Sequence, residues 1–88
     1  MQLIAHSAKH YMNQTPYFRI RVLRQRPYIK LEWCELAVRH PEHVEIQPDG
    51  RIRHWRYFDE LGKYLRVVTL SDSETLHNAF PDPNFKVP

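Results

Sequence analysis

The hydrophobic positions in the segment KLEWCELAVRH recur at the spacing of an amphipathic helix. Leu31, Cys34 and Val38 fall on one stripe of a helical surface, whereas Glu35 falls outside that stripe. The pattern therefore predicts a helix over residues 30–40, with Cys34 as a small buried hydrophobic residue and Glu35 on the solvated side.

Beyond this helix the pattern changes to short runs that are rich in aromatic and branched residues. Turn signals separate the runs at Asp49-Gly50, Gly62 and Asp72. The spacing predicts four antiparallel strands, over residues 43–47, 51–58, 64–70 and 75–80.

The segment between Tyr17 and Arg26 fits two structures. Phe18, Ile20 and Val22 alternate with arginines, as in a strand. Thr15-Pro16, however, has the form of a helix N-cap followed by proline at the first helical position. The fold prediction takes the helix, and a strand here remains the alternative.

Together these elements predict an α+β fold with two N-terminal helices packed on a four-stranded antiparallel sheet. The chain has 88 residues, which is enough for one core. We expect a flexible N-terminal tail at residues 1–15, a single domain at 16–82, and an extended, proline-containing C-terminal tail at 83–88.

Composition narrows the class of protein. No apolar run approaches the roughly 18 residues that span a bilayer, and the N-terminus has no signal-peptide apolar region. The single cysteine excludes an internal disulfide, a multi-thiolate zinc site and a CxxC redox pair. The sequence thus predicts a cytoplasmic protein without a membrane partner.

The net charge of +3 is unevenly distributed. Residues 1–31 hold six basic residues and no acidic one, and aromatic residues lie among the arginines. The guanidinium group of arginine forms paired hydrogen bonds with phosphate, and aromatic side chains stack on unpaired bases. This composition therefore favours RNA binding. The alternative is that the acidic remainder of the chain packs beside the basic segment in weak surface ion pairs.

Three stretches carry a resemblance to a known group of proteins: RQRPYI at residues 24–29, WCELAVRHPE at 33–42 and KYLRVVTLSDSETLHNAF at 63–80. They resemble the barnase, EndoU, colicin and RelE-like nuclease superfamily, in particular its small bacterial members and the BrnT-type toxins. Arg26, the His40-Pro41 pair and the strand Leu65 to Thr69 match the pattern of that group. The resemblance implies a RelE-like fold and an RNA substrate.

The chain also departs from that pattern. Phe18 and Val22 stand where the group has its helix histidine and first helix arginine, unless a one-residue slip brings Arg21 into register. The resemblance therefore implies the fold more directly than it implies catalysis.

Metal-independent RNA cleavage requires a proton acceptor, a proton donor and cations beside the phosphate. If the strands align, we expect His77 as acid or base, Arg66 as part of a phosphate clamp, and Tyr57 as a second proton donor or a stacking surface. The predicted nucleic-acid-binding residues are Arg24, Arg26, Arg53, Arg56 and Trp55. The alternative is an inert, half-solvated sheet face on which arginines lie along aromatic rings.

The six histidines do not form a metal-binding motif. His6 and His10 share a helical spacing but lie in the predicted tail, and Pro41 interrupts the face between His40 and His43. We expect no metal and no cofactor.

Two functions follow as hypotheses. The first is a RelE- or BrnT-like domain that binds RNA through a basic sheet face, with weak metal-independent ribonuclease activity centred on His77. The second is a non-catalytic interaction module of the same fold whose basic face binds an acidic protein partner.

Overall fold

The order of helices and strands follows from a computed structural model, which describes residues 11–88. Strand β1 is Asn13–Gln14. Helix α1 comprises an α-helical turn at Pro16–Phe18 and a π-helical segment at Arg19–Arg24, and helix α2 is Leu31–Arg39. Four strands follow: β2 His43–Ile46, β3 Ile52–Phe58, β4 Lys63–Thr69 and β5 Thr75–Pro81.

Helix α1 begins as the Thr-Pro sequence predicts. The Thr15 hydroxyl accepts a hydrogen bond from the Phe18 amide at 3.1 Å, and Pro16 occupies the first turn, where a missing N–H costs nothing. Phe18 and Val22 are four residues apart and both are fully buried. The helix predicted for this segment is therefore confirmed, and the alternation with arginine does not mark a strand.

Helix α2 confirms the predicted stripe, since Cys34 is fully buried and the half-buried Leu31 and Val38 pack against the core. Burial raises the pKa of the Cys34 thiol to about 12, with a smaller contribution from the charge of Glu35, so this thiol is not a reactive nucleophile. The prediction for Glu35 was wrong, because this residue is only 6% exposed. Its Oε2 accepts a hydrogen bond from the Met12 amide at 2.8 Å.

Strands β2 to β5 form the predicted antiparallel meander. Glycines occupy two of the three turns at positive φ, with Gly50 at 91° and Gly62 at 68°. In the third turn Ser73 has a φ of 59°, and the Asp72 carboxylate accepts hydrogen bonds from the amides of Glu74 and Thr75.

The predicted architecture of two N-terminal helices on a four-stranded antiparallel sheet was nevertheless wrong. The sheet has five strands in the order β1-β5-β4-β3-β2, and it is mixed, because β1 pairs in parallel with β5. A strand therefore precedes the first helix. No side-chain pattern predicts β1, because this two-residue strand is defined by backbone pairing with Thr75 and Leu76.

The hydrophobic core lies between the two helices and one face of the sheet. It brings Phe18 and Val22 of α1 and Cys34 of α2 against inward residues of the strands, among them Leu65 and Leu76. Both helices therefore cover the same face of the sheet, and the opposite face carries strand side chains together with the chain segment that follows β5.

Two further predictions concern the ends of the chain and its environment. Residues 1–10, which include His6, His10 and most of the predicted N-terminal tail, lie outside the described residues. Within residues 11–88, no helix is long and apolar enough to cross a membrane.

Replacing Glu35 tests the link between α2 and the strand that precedes α1. Glu35→Ala is expected to lower the free energy of unfolding by about 1–3 kcal/mol, because the partly buried Met12 amide loses its hydrogen-bond acceptor. Glu35→Gln keeps an acceptor oxygen and should lose less. Urea denaturation measures both, with Glu32→Ala on the exposed side of the same helix as the control. A loss in Glu32→Ala equal to that in Glu35→Ala would contradict this assignment.

Candidate nucleic-acid interface

The face of the sheet turned away from the helices, called the open face below, carries most of the predicted site residues. The side chains alternate between the two faces along each strand. Arg53 on β3 pairs with Val68 on β4, and Arg66 on β4 pairs with Phe80 on β5, so these four residues belong to the open face.

A β-bulge in β5 changes the direction of His77. Val68 pairs with Asn78 whereas Thr69 pairs with Leu76, so His77 is the extra residue between two pairs. Simple alternation predicts that His77 and Asn78 lie on opposite faces, but both line the same cavity. Bulges often redirect a side chain next to a functional site in this way.

That cavity, called the arginine cavity below, has a volume of about 590 Å³ and opens onto the part of the open face around Arg53 and Val68. None of the nine side chains that line it carries a carboxylate. They are Tyr17, Gln47, Arg51, Arg53, Arg66, Val68, His77, Asn78 and Phe80.

Each of the three arginines has an acidic residue at the margin of the cavity. The nitrogen-to-oxygen distances are 3.9 Å for Arg51 and Asp49, 3.8 Å for Arg53 and Glu45, and 3.6 Å for Arg66 and Asp82. These distances exceed those of charge-assisted hydrogen bonds. The guanidinium groups therefore keep most of their capacity to bind an anion.

Arg66 is the most enclosed of the three, with 23% of its side chain exposed. Its guanidinium carbon lies 4.5 Å from the centre of the Phe80 ring and 5.8 Å from that of Trp55. Cation–π contact on these rings holds the charge in a fixed place while leaving the outward N–H groups available.

Arg26, predicted to bind nucleic acid, instead binds the protein. Its Nη1 donates to Asn78 Oδ1 at 3.1 Å and to the Ala79 carbonyl at 3.0 Å. The residue ties the segment after α1 to β5 and fixes Asn78 at the wall of the arginine cavity. Its charge still contributes to the potential there.

His77 is held from two sides by the start of α1. Its Nδ1 is 3.0 Å from the Thr15 hydroxyl oxygen, and its ring stacks on Tyr17 with 5.0 Å between ring centres. Partial burial lowers the pKa of His77, and the nearby charge of Arg51 lowers it further, whereas Asp49 acts in the opposite direction. His77 is therefore largely neutral near pH 7, with Nδ1 bound by Thr15.

The structure places Tyr57 on the open face but away from the arginine cavity. Tyr57 pairs with Tyr64, and its backbone amide donates to Glu42. It is four residues along β3 from Arg53, a distance of about 13 Å at strand spacing. Tyr57 and His77 are thus not brought together, and Tyr17 is the phenol beside His77.

Trp55 also lies on the open face, but it is covered. The residue is 3% exposed, its ring stacks on Phe85 with 4.7 Å between centres, and its Nε1 donates to Asp82 at 3.0 Å. A base can reach this indole only where Phe85 now lies.

The last two predicted binding residues lie elsewhere. Arg56 is on the helix-covered face of β3, where its Nη1 donates to the His40 carbonyl at 2.7 Å. Arg24 is exposed at the C-terminal end of α1. Neither lines the arginine cavity.

Sequence reasoning did not single out Tyr17 or Arg51 as site residues. The capped start of α1 brings Tyr17 against β5, and the turn before β3 brings Arg51 to the cavity rim. The Thr-Pro start and the Pro-Asp-Gly turn were visible as signals of local structure. Their positions relative to β5 depend on sheet order, which no local signal encodes.

His54 is a second histidine with a perturbed environment, on the core side of β3. It is 3% exposed, and its Nδ1 lies 3.1 Å from the Val67 carbonyl. Burial lowers the pKa of His54, which outweighs the opposing effect of that hydrogen bond. A donor Nδ1–H facing a carbonyl and a neutral ring make this a structural histidine.

In residues 11–88, no group of three or more histidine, cysteine or acidic side chains is arranged to hold a metal ion. Comparison of the chain with protein-family models, with curated proteins and with solved structures gave no match. The chemistry of the site therefore has to be inferred from its own geometry.

The two perturbed histidines predict a pH dependence of stability. Their pKa values are lowered in the folded protein, so below about pH 6.5 the unfolded chain binds protons that the folded protein does not. The free energy of unfolding is therefore expected to fall as the pH decreases from 7.5 to 5.5. His54→Asn, which keeps an N–H donor, should show a smaller decrease in denaturation experiments. The exposed His40→Asn variant is the control, and an unchanged decrease in His54→Asn would contradict the assignment.

Proposed function

We propose that this protein binds single-stranded RNA through the arginine cavity. The observation that carries the proposal is the composition of the cavity wall, where Arg51, Arg53 and Arg66 converge beside His77. Guanidinium groups bind phosphate oxygens in pairs, and a concave site lined by one sign of charge concentrates the anion.

The aromatic side chains favour unpaired nucleotides over duplex. Tyr17 is 42% exposed and already stacks on His77 at the cavity edge. A splayed base can extend this stack, whereas a base within a duplex cannot. The resemblance of three sequence stretches to RelE-like and BrnT-type proteins implies the same class of ligand.

An acidic protein partner is the alternative, because carboxylates and phosphates both bind arginine. The stacked Tyr17–His77 pair favours a nucleotide, since an acidic peptide offers no ring of comparable size at regular intervals. The alternative would be favoured if an acidic peptide bound more tightly than RNA and displaced it in a competition experiment.

The binding proposal predicts a salt-dependent affinity for a short oligouridine, measured by fluorescence anisotropy. The logarithm of the association constant should fall with the logarithm of salt concentration at a slope of about −0.7 for each phosphate contact. Arg53→Ala and Arg66→Ala should each weaken binding by about three- to tenfold and reduce the slope by about one contact.

Arg56→Ala is the matched control, because Arg56 lies on the same strand as Arg53 with its side chain on the opposite face. We expect this variant to bind almost as the wild type does. Equal losses in Arg53→Ala and Arg56→Ala would indicate that net charge alone drives binding. No binding at low salt would contradict the proposal.

Cleavage of the bound RNA is a separate prediction. Any activity should persist in EDTA, leave a 2′,3′-cyclic phosphate and be lost in His77→Ala, because the neutral imidazole of His77 lines the cavity and can accept a proton there. Tyr17→Phe should reduce the activity, whereas Tyr57→Phe should not, because Tyr57 lies outside the cavity. Equal product from the wild type and from His77→Ala would contradict this assignment of the active residue.

A further inference from the structure

The chain after β5 folds back over the part of the open face that carries Trp55 and Tyr64. The Asp82 amide donates to the Tyr64 carbonyl at 2.8 Å, and the Phe85 amide donates to the Asp82 carbonyl at 3.3 Å, which closes a turn. Residues 82–85, called the strap below, thus lie directly beside the arginine cavity and share Arg66 with it.

Two side chains of the strap are inserted into the face. The ring of Phe85 lies between three aromatic residues, stacked on Trp55 with an angle of 16° between planes, edge-on to Tyr64 at 4.9 Å, and 5.7 Å from His43. The carboxylate of Asp82 accepts a hydrogen bond from the indole N–H of Trp55 and lies 3.6 Å from Arg66 Nε.

This pair of contacts has the chemistry of a bound nucleotide. A negatively charged group faces an arginine, and a flat ring stacks on a tryptophan beside it, as a phosphate and its base do on single-stranded RNA-binding surfaces. Among residues 11–88 the buried Arg66 Nε finds no hydrogen-bond partner, since the distance to Asp82 is too long. The carboxylate is thus an imperfect ligand for this arginine.

We propose that Trp55, Tyr64 and Arg66 form a second nucleotide subsite, which the strap occupies in the unbound protein and which a single-stranded RNA takes over by displacing Asp82 and Phe85. This inference rests on the proposed RNA binding and extends it. The arginine cavity receives one nucleotide first, and the next nucleotide along the strand competes with the strap for Arg66 and Trp55.

The competing explanation is that Phe85 simply covers Trp55 and contributes to stability. The two explanations differ in the direction of one effect. Removing a cover leaves RNA affinity unchanged or lowers it, whereas removing an internal competitor raises it, because the RNA no longer has to displace the ring before it stacks.

The test compares the binding of a fluorescein-labelled oligouridine to the full chain and to two strap variants. Phe85→Ala should raise the affinity by about five- to fiftyfold, the range expected for one freed stacking position. Asp82→Asn keeps the size of the side chain but removes its charge, and it should give a smaller increase. Val87→Ala is the control, because Val87 is 61% exposed and lies just beyond the strap.

Fluorescence of Trp55 supplies a second, independent readout. The chain has two tryptophans, so the Trp33→Phe background leaves Trp55 as the emitting residue. Oligouridine should quench Trp55 in this background, and at lower concentrations when Phe85→Ala is added. Circular dichroism establishes whether each variant is folded. If Phe85→Ala does not fold, the comparison is made with Asp82→Asn alone.

The outcomes separate this inference from the proposed function. If the strap variants bind RNA no more tightly than the wild type while Arg53→Ala still weakens binding, the second subsite is wrong and RNA binding stands. If RNA leaves Trp55 fluorescence unchanged at saturation, the second subsite is likewise wrong. If neither the wild type nor any strap variant binds RNA, both proposals fail.

Discussion

Both helices cover the same face of the sheet, and the rest of the molecule depends on this one-sided burial. Phe18 and Val22 of α1 meet Leu65 and Leu76 of the strands in one hydrophobic core. Within residues 11–88, no further layer of helices or strands covers the other face. That face carries a mixture of aromatic and charged side chains. They are stabilised by the strap, whose Phe85 stacks on Trp55, and by guanidinium groups packed on rings, as Arg66 lies over Phe80.

The same packing positions the candidate site. The Thr15 hydroxyl caps α1 and also contacts His77, so the residue that starts the helix orients the histidine in the cavity. Arg26 adds a second tie from the end of α1 to Asn78 and the backbone of β5. Because both ties end at the β-bulge, the position of the helix and the shape of the arginine cavity are coupled.

The arginines of the open face are partly neutralised by acidic residues but can still bind an anion. Acidic residues stand near each arginine of the cavity, yet at distances longer than hydrogen bonds. Such pairs on partly exposed side chains are weak, and they keep the cations from repelling one another without saturating them. Asp82 is the best enclosed of these acids, and it is also the one that belongs to the strap.

Periodicity by itself determined α2 and the meander of β2 to β5, because each of these elements depends on a hydrophobic repeat within one segment, with the period of a helix or of a strand. It also placed Arg53 and Arg66 on one surface, whereas His77 reaches that surface through the bulge and Tyr57, predicted for the same group, lies outside the cavity. Glu35 was misplaced, because its burial depends on a backbone amide 23 residues away that needs an acceptor. No pattern within α2 carries that information.

The tertiary structure alone decided the remaining features. Strand β1 exists through backbone hydrogen bonds to β5, the bulge at His77 depends on the register of β4, and Trp55 is covered by a ring 30 residues further along the chain. All three depend on which distant segments become neighbours. A local sequence pattern specifies the face that a residue prefers, but the partner that meets it there is specified only when the whole core forms.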